Sequence, residues 1–165
     1  MVLKPFIKWT GSKRSQAEEI VSYFPAKINT YYEPFLGSGA ILGSLRPQKA
    51  VGGDVNKPLI ELWKILKENP EKIAEDYRKN WQKLQDEGHL LFYKIRDRFN
   101  KKQSSSDFLF LTRTCVNGLI RYNRNGEFNN SLHHTRPGIN PDQLRKILIQ
   151  WSLFIKKYKF SDQSY

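Results

Sequence analysis

The chain has 165 residues, which is enough for one domain with a buried core and too few for two large domains. Its formal charge of +12, together with 13% aromatic residues, predicts a folded protein that binds a polyanion, with DNA or RNA ahead of an anionic membrane surface. One cysteine excludes an internal disulfide, and the three histidines form no spaced zinc set, so we expect no metal site. The sequence has neither a signal-peptide pattern nor a membrane-spanning apolar run, so we expect a cytoplasmic protein that does not enter a membrane.

The first candidate element is a short motif near the N-terminus. Residues 6–14 read Phe-Ile-Lys-Trp-Thr-Gly-Ser-Lys-Arg, an apolar stretch that enters a Gly-Ser turn. Trp9 can stack on a flat ring, and Lys13 can pair with a carboxylate. The alternative is that Trp9 belongs to the core and Lys13 to the solvated surface. Beyond the turn, apolar residues at helical spacing predict a helix, namely Ala17, Ile20, Val21 and Phe24.

The second element combines a glycine loop with an acidic residue. Residues 31–40, Tyr-Tyr-Glu-Pro-Phe-Leu-Gly-Ser-Gly-Ala, predict a strand, a tight turn and the start of a helix. Residues 49–56 predict a second strand that ends at Asp54, where a carboxylate can accept hydrogen bonds from ribose hydroxyls. Leu42 stands where a dinucleotide fingerprint needs its third glycine, and no phosphate-loop lysine follows. The pattern therefore favours S-adenosylmethionine over a dinucleotide, while the alternative is a tight turn followed by an acidic surface residue.

The middle of the chain is predicted to be mostly helical and is the most basic part. Residues 57–148 contain 18 Lys and Arg against 11 Asp and Glu, a net charge of +7. Asn56 caps one predicted helix, and the Asn-Pro pair at 69–70 starts another. Asp107 is expected to cap a short apolar helix that ends before Asn117.

A polar segment with turn residues follows this helical part. Residues 117–130 contain Asn125-Gly126, a typical hairpin tip between extended pieces. Arg121 and Arg124 alternate there with Asn123 and other side chains that can pair with base edges and phosphates. The segment therefore predicts a DNA-recognition hairpin, and the alternative is a solvated, turn-rich loop.

Two histidines and a final helix complete the sequence. His133, His134, Thr135 and Arg136 have no acid or thiol beside them, so we expect a polar surface that faces DNA rather than a metal site. Asn140 then caps a helix, and the chain is expected to return to the sheet near Phe160.

Three of these stretches, taken in order, resemble one family. Residues 6–13, 32–40 and 117–129 are similar to the motifs of the Dam-like (D12 class) DNA adenine methyltransferases, and the resemblance covers essentially the whole chain. It implies an α/β fold, with a partial Rossmann-like methyltransferase core interrupted by a mainly helical target-recognition domain that carries a β-hairpin at about 119–131. The implied divisions are 1–56 for the first part of the cofactor-binding core, 57–141 for recognition and 142–165 for the return to the core.

The resemblance also assigns residues to sites. It implies that S-adenosylmethionine is bound by Trp9, Lys13, Glu33, Pro34, Phe35, Gly37, Ser38, Gly39 and Asp54. It implies that double-stranded DNA faces Lys8, Asn117, Leu119 and Arg121, to which the polar pattern adds Asn123, Arg124 and His134.

Two departures from the family limit what the resemblance implies. Where close relatives have Pro-x-Gly-Arg-Tyr, residues 131–135 read Ser-Leu-His-His-Thr, so the recognised DNA sequence does not carry over. The family's catalytic Asp-Pro-Pro-Tyr holds the target amine and stacks on the flipped adenine. It should follow the strand near Phe160, but it occurs nowhere in the 165 residues, so we expect it to come after Tyr165.

We therefore expect no catalytic residue between Met1 and Tyr165 and little or no activity from this chain alone. Three alternatives remain: a truncated adenine-N6 methyltransferase, half of a split enzyme completed by another chain, and a DNA-binding module that does not catalyse. The protein partner expected besides DNA is a complementing C-terminal chain or a second copy in a homodimer.

Overall fold

A computed structural model describes residues 3–135 and 137–162. Within these ranges the chain forms three parallel strands and seven α-helices, a mixed α/β architecture that is compatible with a partial methyltransferase core.

Two parts of the predictions lie outside the described residues. The first is Arg136 of the polar segment, and the second is residues 163–165 at the end of the predicted return to the sheet. Tyr165, after which we expect the catalytic Asp-Pro-Pro-Tyr, belongs to the second part. The place of the catalytic motif therefore stays a prediction.

The sheet is small and parallel. Its strands are β1 (Tyr31–Glu33), β2 (Ala50–Gly53) and β3 (Lys159–Ser161), hydrogen-bonded in the order β1-β2-β3. The predicted strand before the glycine turn, the strand before Asp54 and the return near Phe160 are thus confirmed. In doubly wound sheets the first three strands have this same order, and the fourth strand pairs with the free edge of the first.

Most of the remaining chain is helical, and asparagine caps define several helix starts. Asn56 accepts a hydrogen bond from Leu59 N–H at 3.0 Å, Asn69 accepts one from Lys72 N–H at 3.1 Å, and Asn140 accepts one from Asp142 N–H at 2.9 Å. These three predicted caps are confirmed. The helices are α1 (Ala17–Ser22), α2 (Ala40–Leu45), α3 (Lys57–Glu68), α4 (Pro70–Glu87), α5 (His89–Lys102), α6 (Ser105–Thr114) and α7 (Pro141–Ile155).

The predicted cap at Asp107 is wrong. Helix α6 begins at Ser105 with Ser104 as the capping position, and Asp107 lies inside the first turn. Its buried carboxylate accepts two hydrogen bonds from the Arg98 guanidinium, at 2.8 and 2.5 Å, and so joins α6 to α5. Asp107 therefore binds Arg98 on the preceding helix instead of capping its own, and the local sequence does not indicate this pairing.

The predicted hairpin forms a folded-back segment rather than a regular ladder. It has two isolated antiparallel bridges, between Tyr122 and Phe128 and between Cys115 and Leu132. Asn123 lies at its turn, where its carbonyl accepts from Gly126 N–H at 3.0 Å.

The hydrophobic core runs without a break from the sheet into the helices. Trp63 of α3 is fully buried, stacks on Phe160 of β3 at 5.3 Å between ring centroids and meets Trp151 of α7 edge-on at 5.2 Å. Helix α3 therefore packs against the sheet, although it follows the predicted division at residue 57. The predicted segments 1–56, 57–141 and 142–165 therefore stay a prediction.

Candidate cofactor site beside a polar hairpin

The glycine loop after β1 has a backbone that only small residues tolerate. Gly37 and Gly39 have φ values of +49° and +68°, in the left-handed region. A Cβ on Gly37 would lie 2.7 Å from Trp9 Nε1, and one on Gly39 would lie 2.7 Å from the Trp63 ring. The Trp63 indole also donates to the Gly37 carbonyl at 3.1 Å. Two tryptophans thus fix the loop from two sides.

Asp54 lies at the carboxyl end of β2 and contacts this loop directly. Its Oδ2 accepts a hydrogen bond from Gly37 N–H at 3.0 Å, and its Oδ1 accepts one from Asn56 N–H at 3.0 Å. Each carboxylate oxygen can accept a further hydrogen bond. The predicted ribose acceptor is therefore half-buried, fixed in orientation and still able to receive hydroxyl donors.

Glu33, the last residue of β1, binds the start of α2. Its Oε2 accepts a hydrogen bond from Leu42 N–H at 3.1 Å. Burial raises the pKa of Glu33 to about 7, and the hydrogen bonds from Tyr31 and Leu42 only partly oppose this rise. Near neutral pH this carboxyl group can therefore exchange a proton.

The N-terminal motif covers the glycine loop. The hydroxyl oxygens of Ser12 and Ser38 are 2.9 Å apart, and Ser38 is buried. A cavity of about 60 Å³ lies between the two segments, with Trp9, Lys13 and Glu33 in its lining. Three residues of the sequence prediction therefore surround one cavity.

This cavity is far smaller than the few hundred Å³ that a ligand of cofactor size occupies. The rest of the binding surface is open: Phe35 is 85% exposed, and Pro34 before it is half-buried. An aromatic face, two carboxylates and an ammonium group fit the adenine, the ribose, the amino group and the carboxylate of S-adenosylmethionine. The residues present thus fit this cofactor, although no enclosed pocket of its full size is formed by the described chain.

A larger cavity of about 670 Å³ lies between α1 and α2. It reaches the glycine loop at Ser38 and Gly39, but neither Trp9 nor Lys13 nor either acid lines it. Of these two cavities, the one between α1 and α2 has the larger volume, whereas charged and aromatic groups converge on the smaller one. The smaller cavity is the better candidate for the cofactor, because specificity for a charged nucleoside requires placed polar groups.

The residues predicted to face DNA begin close to the cofactor loop. The side chain of Lys8 lies along Gly118, where an added Cβ would be 2.3 Å from Lys8 Cβ. Asn117 is exposed, with a left-handed φ of +55°, and Leu119 is exposed beside it. Arg121 is also exposed, and its Nε donates to the Asn129 side chain at 2.9 Å.

The three positions added by the polar pattern have different environments. Arg124 is exposed at the hairpin tip. The Asn123 side chain forms the turn itself, because its Oδ1 accepts from Asn125 and Glu127 N–H groups, each at 2.9 Å. His134 is exposed and lies near the first residue of α5, His89. The centroids of the two imidazole rings are 6.4 Å apart. The structure thus groups Arg121 and Arg124 but not His134.

Two contacts that the sequence did not predict join the cofactor loop to the hairpin. Asn56, two residues after Asp54, donates a hydrogen bond from Nδ2 to the Tyr122 hydroxyl at 3.4 Å. Lys8 and Gly118 form the second contact. The Asn-Gly turn at 117–118 was the available signal for close approach; no local signal pointed to Asn56, Tyr122 or Trp63.

The site combines a glycine loop after one parallel strand, an acid at the end of the next strand and a hairpin that carries arginines. This combination is typical of enzymes that bind a nucleoside cofactor and a nucleic acid side by side. The sequence profile of the D12 class N6 adenine-specific DNA methyltransferases matches residues 9–165. The chain belongs to this family.

Two relatives illustrate the similarity. The Type II methyltransferase M.MjaIII of Methanocaldococcus jannaschii is 36% identical over 149 residues, covering 78% of this chain and 52% of that protein. The DNA adenine methylase of Haemophilus influenzae is 36% identical over 132 residues, covering 76% of this chain and 46% of that protein. The chain thus spans about half the length of these curated relatives.

Two features are absent from the described part of the chain. Across 3–135 and 137–162, no helix is both long and apolar enough to span a membrane. In the same ranges, no three His, Cys, Asp or Glu side chains come together as metal ligands would.

Proposed function

We propose that this chain forms the S-adenosylmethionine-binding and DNA-recognising parts of a DNA adenine N6-methyltransferase. The observation that carries the proposal is the continuity of the two candidate surfaces. Asp54 holds the glycine loop through Gly37 N–H, and its neighbour Asn56 contacts Tyr122 of the hairpin. A cofactor on the loop and DNA on the hairpin would therefore meet along one edge of the molecule.

In this proposal the cofactor residues have separate tasks. Asp54 accepts the ribose hydroxyls, Lys13 pairs with the cofactor carboxylate, and Phe35 and Trp9 contact the adenine. Glu33 lies near the amino group and holds α2 in register with β1. When bound, S-adenosylmethionine supplies an activated methyl group; the chain's own residues orient it and exclude water from one side.

The DNA-facing residues position the duplex beside this site. Arg121 and Arg124 are exposed cations that can contact phosphates or guanine edges, and Lys8 approaches the same region from the cofactor motif. The family reaction acts on an adenine flipped out of the duplex, which costs a few kcal/mol of unstacking. The group that would hold this base is the Asp-Pro-Pro-Tyr motif, which the 165 residues do not contain.

The open side of the sheet supports a place for that missing group. Within the described ranges, β1 is hydrogen-bonded to β2 only. In a doubly wound sheet the fourth strand pairs with the free edge of the first, and ligands bind at this switch point. Parallel strands are normally covered on both faces, yet Tyr32 of β1 is 65% exposed. This edge favours a catalytic strand supplied from beyond Tyr165 of the same polypeptide or by a second chain.

The test is transfer of labelled methyl groups from S-adenosylmethionine to duplex DNA. The purified chain is assayed alone and mixed with the second half of the M.MjaIII methyltransferase, and Asp54→Ala serves as the negative variant. We expect no methyladenine from the chain alone, methyladenine from the mixture, and loss of that product with Asp54→Ala.

Other results would select between the alternatives. Methyladenine formed by the chain alone would overturn the assignment of the catalytic group to another segment. A mixture that stays inactive while the chain binds DNA but no cofactor would favour the non-catalytic DNA-binding module. A folded chain that binds neither cofactor nor DNA would overturn the proposed function.

A further inference from the structure

A second basic surface lies away from the hairpin. It is a groove of about 350 Å³ between α4 and α5, with the start of α6 as its floor. We call it the lysine groove, and define it by five cationic side chains that line it: Lys72, Lys79, Lys83, Arg98 and Lys102.

One wall of the lysine groove is a single stripe on α4. Lys72, Lys79 and Lys83 are separated by seven and four residues, so they share one face of the helix over about 16 Å of its length. The opposite face of α4 carries the buried Ile73 and Tyr77. The stripe therefore faces solvent because the other side of the helix supplies the core.

The acids in the lysine groove are already paired. Asp76 accepts hydrogen bonds from Lys72 Nζ and Ser106 Oγ, each at 2.7 Å, and Asp107 accepts two from Arg98. Lys79 has only a loose contact of 3.7 Å with the exposed Glu75. In the described ranges, Lys83 and Lys102 have no ion pair. The groove consequently keeps an excess of about three positive charges.

The hairpin and the lysine groove occupy opposite faces of α5. Arg96 donates to the Asn130 carbonyl at 3.3 Å, and Asn100 donates to the Phe128 carbonyl at 3.1 Å, so this face holds the hairpin. Arg98 and Lys102 each follow these residues by two positions, a rotation of about 200° around the helix. The body of α5, about 10 Å across, thus separates the two surfaces.

The chemistry of the lining indicates the kind of partner. Apart from its charged residues, the lysine groove presents hydroxyl and amide groups, with no aromatic or apolar side chain among the lining residues of the described chain. Protein interfaces have an apolar or aromatic centre, and single-stranded nucleic acids are held by stacking on aromatic rings. Lysines with hydroxyl and amide groups match the phosphates of a duplex, which carry no base information.

We infer that the lysine groove binds the backbone phosphates of a duplex DNA segment other than the one at the hairpin. The choice of DNA rests on the proposed function, whereas the position and charge of the groove do not. Because the two surfaces face opposite ways, the protein would hold two DNA segments, or two distant parts of one molecule, at the same time.

The experiment measures whether the chain brings two duplexes together. Short duplexes, one labelled with a donor fluorophore and one with an acceptor, are mixed with the purified wild-type chain and with the triple variant K79Q/K83Q/K102Q. The matched control, K27Q/K146Q/K156Q, removes the same charge from exposed lysines elsewhere. Salt dependence of binding to one duplex is measured for all three proteins.

We expect energy transfer with the wild type and the control variant, and at least a fivefold loss with the groove variant. The slope of log affinity against log salt should fall by about 2 to 3 in the groove variant, because each lost phosphate contact removes about 0.9. Binding of S-adenosylmethionine should be the same in all three proteins, which separates failure of the groove from failure of the proposed function.

Three results would overturn the inference. The first is a groove variant that matches the control in both slope and energy transfer. The second is energy transfer that persists in the groove variant because the protein dimerises, which light scattering would reveal. The third is groove-dependent binding to single-stranded RNA without binding to duplex DNA.

Discussion

The glycine loop and the hairpin are held in place by different means. In the loop, backbone groups bind one another or a carboxylate: Gly37 N–H donates to Asp54, and Leu36 N–H donates to the Gly53 carbonyl at 2.8 Å. In the hairpin, side-chain amides bind the backbone: Asn130 Nδ2 donates to two carbonyls, and Asn100 both donates to and accepts from Phe128.

This difference decides which positions can vary. Aromatic rings contact the loop glycines so closely that no side chain can be added there. The hairpin instead has an inner side held by its own buried Asn130 and by the half-buried Asn100 of α5, and an exposed outer side that carries Arg121 and Arg124. A loop of the first kind preserves one ligand geometry, whereas a hairpin of the second kind can exchange its outer residues and keep its shape.

The largest expected effect is the loss of stability when a glycine of the loop is replaced by alanine, compared with the same replacement in the hairpin. Gly39→Ala should lower the free energy of unfolding by about 4 kcal/mol, because the left-handed φ of +68° and the Trp63 ring at 2.7 Å both oppose a Cβ. Gly126→Ala at the hairpin tip has a φ of +75° but no atom within 4 Å, so it should cost only about 1 kcal/mol. Urea denaturation measures both variants, and equal losses would contradict the account of the loop.

The second prediction concerns the ionisation of the Glu33 carboxyl group. The pKa of Glu33 is raised by burial from 4.5 to about 7, so the folded chain binds more protons than the unfolded chain between these values. Stability from this group is therefore complete below about pH 4.5 and is lost as the pH rises through 7. Glu33→Gln should match the wild type at pH 4 or below and exceed it by about 3 kcal/mol at pH 8.

Thermal melts of both proteins across this pH range make the measurement. A wild-type melting temperature that rises between pH 5 and pH 8 relative to the variant would mean that Glu33 is ionised in the folded chain throughout.

The third prediction tests the inner side of the hairpin. Asn130→Ala should cost about 2 kcal/mol, because the buried Asn130 amide is the donor that joins the carbonyls of Val116 and Leu119. The neighbouring Asn129→Ala should change stability by less than about 0.5 kcal/mol, since its side chain accepts a hydrogen bond from Arg121, which is exposed. Denaturation of the matched pair gives the comparison, and a larger effect at Asn129 would reverse the assignment of inner and outer sides.

The smallest expected effect belongs to the outer side. Arg121→Ala should leave stability within about 0.5 kcal/mol, weaken duplex DNA binding up to about tenfold and reduce its salt slope by about 0.9. Fluorescence anisotropy with a labelled duplex at several salt concentrations measures both quantities. An unchanged affinity would count against a recognition role for the hairpin.

Much of the loop region was predictable from sequence because its determinants are local. The turn at Gly37 and Gly39 and the helix caps at Asn56, Asn69 and Asn140 depend on residues within a few positions, and Asp54 directly follows the second strand. The contacts of the loop with Trp9, Trp63 and Asp54 are between distant residues and were not predictable in this way. The structure agrees with these elements, and the family assignment made from the same motifs is confirmed by the profile match.

What could not be predicted depends on contacts between distant residues. The local sequence around Asp107 is typical of a helix cap, but its carboxylate accepts two hydrogen bonds from Arg98 of the preceding helix. The contact of Asn56 with Tyr122 spans 66 residues, and no local pattern specifies such a pair.

The central claim is that the described loop binds S-adenosylmethionine, and calorimetric titration of the cofactor into the purified chain tests it most directly. We expect the wild type and Asp86→Ala, an exposed acid near the end of α4, to bind alike, and Asp54→Ala to lose at least tenfold in affinity. A folded wild-type chain that binds no cofactor, or Asp54→Ala binding as tightly as the wild type, would contradict the claim.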